Sequence, residues 1–247
     1  MNRNEGCFKM SGGASEFKRG IWAEALLECW KNILFIMLII VTFFVLAFAG
    51  LPAWSIYAAY AWLAIRIQAS LLNGTNPSML DVQRRYLPFI WRSIVLVLPS
   101  FAAKTLISDT SGSVINIDSL HLAAAVATAV TAIIFGIAGT WLPAVVAEGG
   151  IRTFTAAIER GRRVFGYSLF RFIVCCGPIA LAGMILVIES AWVSFDVAAK
   201  LGLMGFVVLS MISWVLMEFV NAFMIVMFTV ILARAYQIAE GYSHPKQ

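Results

Sequence analysis

The 247-residue chain is 61% hydrophobic and 13% charged, with a formal net charge of +5. Soluble domains carry roughly 25% charged residues, so about half the usual charge is missing and a soluble globular domain of ordinary composition is excluded. Apolar runs of membrane-spanning length recur instead, each near the ~20 residues that a helix needs to cross a bilayer.

Residues 1–31 hold five Lys/Arg and four Glu, and no cleavage-like motif follows the first apolar run, so this segment does not read as a cleaved signal peptide. Residues 1–15 read as a flexible tail, 16–241 as one membrane domain and 242–247 as a C-terminal tail. Asn32 to Ile65 contains no charged residue. Unbroken, it would make a helix of ~50 Å, too long for a ~30 Å hydrocarbon core. The stretch AGLP at 49–52 breaks it, with Pro52 suited to the first turn of a second helix. Spans 1 and 2 therefore form a hairpin, and Asn73-Gly74 reads as the turn beyond it.

Span 3 is expected at 89–107, with Pro99 inside it, and span 4 at 121–146. Span 4 carries Ala124, Thr128, Ala132, Gly136 and Thr140 at four-residue spacing. Such a stripe lets helix backbones approach closely, either within the chain or in self-association. Span 5 is expected at 168–188. Residues 201–233 hold one charge, Glu218. Since Phe206 to Glu240 contains neither Gly nor Pro, one long helix ending near Arg234 is expected there rather than two short spans.

Sixteen of the eighteen Lys/Arg fall in the N-terminus, the 2–3 and 4–5 connections and the C-terminus, leaving Lys104 and Lys200 on the other side. The positive-inside rule then places both termini in the cytoplasm. The same basic segments are patterned. On a helix at 100° per residue, Phe154, Ile158, Phe165, Leu169 and Phe172 oppose Arg152, Glu159, Arg160 and Arg163. Met79, Val82, Tyr86 and Ile90 oppose Asp81, Arg84, Arg85 and Arg92. Trp22, Leu26, Cys29 and Trp30 oppose Glu24, Glu28 and Lys31. These are amphipathic elbows, expected at the cytoplasmic interface. Arg84, Arg92 and Pro99 match Arg163, Arg171 and Pro178 at a constant offset of 79, an internal repeat. The fold class expected is an all-α polytopic membrane protein: six transmembrane helices as three hairpins, each preceded by a cytoplasmic amphipathic helix.

The stretch WLPAVVAEGGIRTFTAAIERGRRVFGYSLFRF, with ILARAYQIAEG at 231–241, resembles the YciC-like six-span inner-membrane proteins of bacteria. That group is similar in pattern to the membrane domain of some glycerophosphodiester phosphodiesterases. Here Arg234 precedes Tyr236, an order that differs from the group's last helix. The resemblance implies residence in a bacterial inner membrane and six spans; it carries no catalytic residues across.

No phosphate-binding loop, nucleophile elbow or zinc-protease motif is present. No cofactor, metal ligand set, nucleic-acid partner or enzymatic activity is expected. His121 and His244 are the only histidines, and Cys7, Cys29, Cys175 and Cys176 lack metal or disulfide spacing. Two sets of candidate site residues remain. Glu218 and Asn221 share a helix face and form a candidate intramembrane polar site, with an interfacial structural role as the alternative. Arg84, Arg85, Arg92, Arg160, Arg163 and Arg171 are candidate contacts for anionic lipid headgroups, with orientation alone as the alternative. The function expected is envelope or lipid organisation, or partnership with another membrane protein; the alternatives are a small transporter and, third, a membrane-embedded lipid enzyme.

Overall fold

A computed structural model describes residues 20–48, 54–74, 77–110, 117–148 and 153–241. Both tails, the AGLP turn, Arg152 and His244 lie outside the described residues. Within them every regular element is helical: α1 (Ile21–Lys31), α2 (Ile33–Phe48), α3 (Trp54–Asn73), α4 (Met79–Thr110), α5 (Ile117–Ala138), α6 (Trp141–Glu148), α7 (Phe154–Arg171), a π-helical turn (Phe172–Cys176) and α8 (Gly177–Ala239).

Two helical stretches, Phe154–Ala180 and Val207–Ala239, are each long and apolar enough to cross a membrane. Two bent pairs raise the number to four if each pair is one span, among the described residues. This is the build of a membrane protein, and the surface agrees with it. Large apolar side chains point outward along α2 (Leu34, Leu38, Val45), α4 (Leu87, Trp91, Ile94) and α8 (Val208, Ile212, Trp214). Acids and arginines are among the buried residues instead, the reverse of a soluble protein's arrangement.

Three junctions each have a local cause, and the second and third depart from the expected layout. α1 and α2 meet at 69° at Asn32, whose side-chain amide donates to the Glu28 carbonyl (2.9 Å) and ends the first helix. The elbows before spans 3 and 5 are not separate helices. α4 runs from Met79 to Thr110 straight through Pro88 and Pro99. α7 continues through the π turn into α8. That turn lies just before Pro178, which has no N–H for the carbonyl of Val174; widening the helix by a residue relieves the clash. Span 4, expected unbroken over 121–146, is two helices bent by 44° at Gly139-Thr140. Pro143 cannot donate to the Gly139 carbonyl, which accepts instead from the Leu142 amide (3.1 Å).

The end of α3 follows its sequence: Gly74 adopts φ +68°, and its amide donates to the Ser70 carbonyl (2.9 Å). Residues 203–239 form one uninterrupted helix beyond Gly202, whose φ of +70° breaks α8. α4 starts on Ser78: the Asp81 amide donates to its hydroxyl (3.2 Å) and the hydroxyl donates to the Asp81 carboxylate (2.6 Å), a reciprocal cap. That bond, followed by the charges of Arg85 and Arg84, holds the Asp81 carboxyl below its ordinary range.

The last part of α8 is the axis of the bundle. It packs on α1, α3 and α7, and Val226, Met227, Val230 and Ile231 are fully buried. Phe228 stacks on Phe172 and meets Phe135 edge-on, both at 4.6 Å between ring centres. α5 and α7 cross in opposite senses, Gly136 lying against Phe165 and Thr140 donating to the Ala157 carbonyl at 3.1 Å. This places the small residues Gly136 and Thr140 in an internal packing face, while Thr128 is exposed.

Candidate functional site

Two polar clusters are built into this apolar bundle, both on α8. The first lies at its C-terminal end. Glu24 of α1 receives both the Nε (2.9 Å) and the Nη2 of Arg234, and the two side chains are almost wholly buried. Arg234 also donates to the Gln237 side chain (3.1 Å), and Gln237 donates to the Leu71 carbonyl of α3 (3.2 Å). One turn away, Arg160 of α7 is buried, pairs with Glu240 (2.9 Å) and lies over the Tyr236 ring at 5.2 Å. Four helices are therefore tied at one end, α1, α7 and α8 by charge-assisted hydrogen bonds, the strong kind in low dielectric, and α3 by the neutral bond from Gln237.

The second cluster is the intramembrane pair read from the sequence. Glu218 accepts from the Tyr60 hydroxyl (2.6 Å) of α3, and Asn221 donates to the other carboxylate oxygen at 3.4 Å. Tyr60 is buried and Glu218 is half-buried. Along α8, Glu218 and Arg234 are ~24 Å apart at 1.5 Å per residue, close to the thickness of a hydrocarbon core. The two clusters thus bracket the apolar middle of the bundle.

The six candidate arginines divide by environment. Arg84 and Arg163 are exposed, and Arg85 and Arg171 half-buried, Arg171 lying 5.6 Å from the Tyr167 ring. Arg92 and Arg160 turn inward. Arg92 donates to the Trp141 carbonyl (3.1 Å) and sits 4.7 Å over its ring, fastening α4 to the bend between α5 and α6. The structure brings Arg160 into the first cluster and leaves Arg84 and Arg163 free of any common site with it. Among the described residues, no group of three or more His, Cys, Asp or Glu is arranged to hold a metal ion.

Sequence reasoning missed Glu24 and Arg234 as a pair. Glu24 was placed on the water-facing side of its elbow and Arg234 at the end of a span. The available signal was Arg234 itself, isolated between the apolar runs MIVMFTVILA and AY; a buried arginine requires an acidic partner.

A conservative test of the second cluster is Glu218→Gln. The amide keeps an acceptor for Tyr60, so the variant is expected to insert and to hold its detergent stability within ~1 kcal/mol, about one neutral hydrogen bond. A loss of ~3 kcal/mol or more in reversible unfolding would show that the carboxylate charge itself holds α3 to α8.

Comparison with protein-family models, with curated proteins and with solved structures returned no match.

Proposed function

We propose that the chain is a six-span bacterial inner-membrane protein, built as three hairpins with both termini cytoplasmic, and that it acts without catalysis in lipid or envelope organisation. The observation that supports this most is the reversed surface: charges pair internally at one end, while leucines, valines and tryptophans face outward. Arg84 and Arg163 remain exposed on α4 and α7. There they supply attraction of ~1 kcal/mol each to anionic headgroups at the cytoplasmic leaflet. The resemblance to the YciC-like group supports the span number and the residence.

Helix sense supports the topology. Tyr60 meets Glu218 and Leu71 meets Gln237, so α3 and the end of α8 run in the same direction, as two inward-going even spans would. α2 leads the opposite way, with Phe43 stacked on Trp214 at 5.6 Å. Reporter fusions at positions 76, 150 and 245 are expected to read cytoplasmic, and those at 110 and 195 external. A C-terminus outside would overturn the six-span reading. For the role itself, the protein in nanodiscs of mixed lipids is expected to retain anionic lipid by mass spectrometry. Replacing Arg84 and Arg163 together by Gln should lower that retention roughly thirtyfold, at ~1 kcal/mol per charge.

The Glu218–Tyr60–Asn221 cluster favours a second reading, a small-molecule or lipid transporter that uses the polar seam between α3 and α8. Uptake in proteoliposomes that is lost in Glu218→Gln, with insertion intact, would select it over the first.

A further inference from the structure

A cavity of about 60 Å³ opens between α1 and the end of α3, lined by Glu24, Glu28, Lys31, Ser70, Leu71 and Gly74. Glu28 is 2% exposed. Its Oε1 accepts from Lys31 Nζ at 2.6 Å, and its Oε2 has no hydrogen-bond partner among the described residues. A buried carboxylate oxygen left without a donor costs ~1–3 kcal/mol or more; Oε2 is closed to water as the side chain stands, so a donor entering the cavity gains what the fold leaves unmade once the Glu28 carboxyl turns toward it.

The surroundings restrict what that donor is. Both carboxylates on the wall are already balanced, Glu24 by Arg234 and Glu28 by Lys31. A bare anion would meet two acids, and a bare cation would meet Lys31. A divalent metal needs roughly six or more oxygen ligands, which one free carboxylate oxygen and the Ser70 hydroxyl do not supply. A zwitterion fits: its positive end toward Glu28, its negative end toward Lys31, whose side chain is 44% exposed at the rim. The volume suits an ammonium with its first methylenes. On the opposite face of α1, Leu26 and Trp30 are exposed, Trp30 at 76%, so the helix that carries the pocket presents its other side to acyl chains.

We propose that this cavity binds the headgroup of an aminophospholipid, the ammonium of phosphoethanolamine donating to Glu28 Oε2 and its phosphate facing Lys31. This rests on the membrane reading above and adds to it one zwitterionic lipid at a defined place, separate from the exposed arginines.

The test uses the full chain in nanodiscs containing phosphatidylethanolamine, its N,N-dimethyl analogue, phosphatidylcholine and phosphatidylglycerol, with retained lipid read by native mass spectrometry. Methylation keeps the charge and removes the N–H donors, of which an ammonium has three and choline none. Retention is expected to fall along that series by roughly tenfold in total, about one hydrogen bond to a charged group. Glu28→Gln and, as a second variant on the facing wall, Ser70→Ala should flatten the series and leave phosphatidylglycerol retention unchanged. Equal retention along the series in the wild type, with insertion and phosphatidylglycerol retention intact, overturns the site and leaves the membrane reading standing; failure to insert overturns both. Displacement by soluble glycerophosphoethanolamine at the same concentration would assign the cavity to a free headgroup compound and overturn the lipid.

Discussion

Gly161→Ala is expected to cost about 3 kcal/mol or more, at the top of the range for overpacking. Gly161 is buried where α7 crosses α5, and a Cβ added there would overlap the carbonyl oxygen of Ile137. That obstacle is backbone, so no rotamer change relieves it and the helices must separate. Separation stretches the bond from the Thr140 hydroxyl to the Ala157 carbonyl, at the same crossing and fully buried. A buried hydroxyl left unmatched adds ~1–3 kcal/mol. Gly166→Ala, one and a half turns further along α7, is the control. An added Cβ at Gly166 meets nothing within 4 Å, and alanine is the better helix former by up to ~1 kcal/mol. Reversible unfolding in mixed micelles should therefore shift the two variants in opposite directions. Equal stabilities would mean that α5 and α7 do not cross at Gly161.

The crossing also shows what was legible in the sequence. Four-residue spacing of small side chains marked span 4 as a close-packing helix, and Gly136 and Thr140 do meet α7. The partner was not legible, because Gly161 lies in a segment whose charges, ERGRR, signal water and headgroups by composition. The same bias misplaced the charged face of the first elbow, and Arg92 and Arg160 in the other two. Periodicity separates Glu24 and Glu28 from Trp22, Leu26 and Trp30, and it does so correctly. It cannot say which face is inside, since in a bilayer the surrounding solvent is apolar and the rule for soluble helices reverses. The break in span 4 was legible in principle: Pro143 comes four residues after Gly139. Glu218 and Asn221 were legible as a polar face by their spacing, whereas Tyr60, which completes their cluster, lies on a helix 158 positions away in the chain. Helix starts and stops are local and could be read; pairings between helices depend on rotation about each axis, which a single sequence does not determine.

The buried pair of Glu24 and Arg234 should behave as one unit. Removing either partner, by Glu24→Gln or Arg234→Met, is expected to destabilise the fold by ~3–5 kcal/mol, since each leaves the other's charge buried without its counter-ion. The double variant should recover part of that loss, because a Gln–Met pair leaves no buried charge without a counter-ion. A double-mutant cycle in the same micelles measures this directly. Single effects that add to within ~0.5 kcal/mol would show that the two residues are energetically independent. Lys31 is an intermediate case: it is half open to solvent while its partner Glu28 is buried, so Lys31→Met should cost more than the ~0–1 kcal/mol of an exposed pair and less than loss of Arg234. The location of the pair gives the result a further consequence. Glu24 lines the α1–α3 cavity and is the residue through which Arg234 holds α1 against α8. Arg234→Met should therefore reduce the phosphatidylethanolamine preference along with stability. Glu28→Gln, which also gives up the ion pair with Lys31, should remove the preference at a smaller cost in unfolding free energy than Arg234→Met.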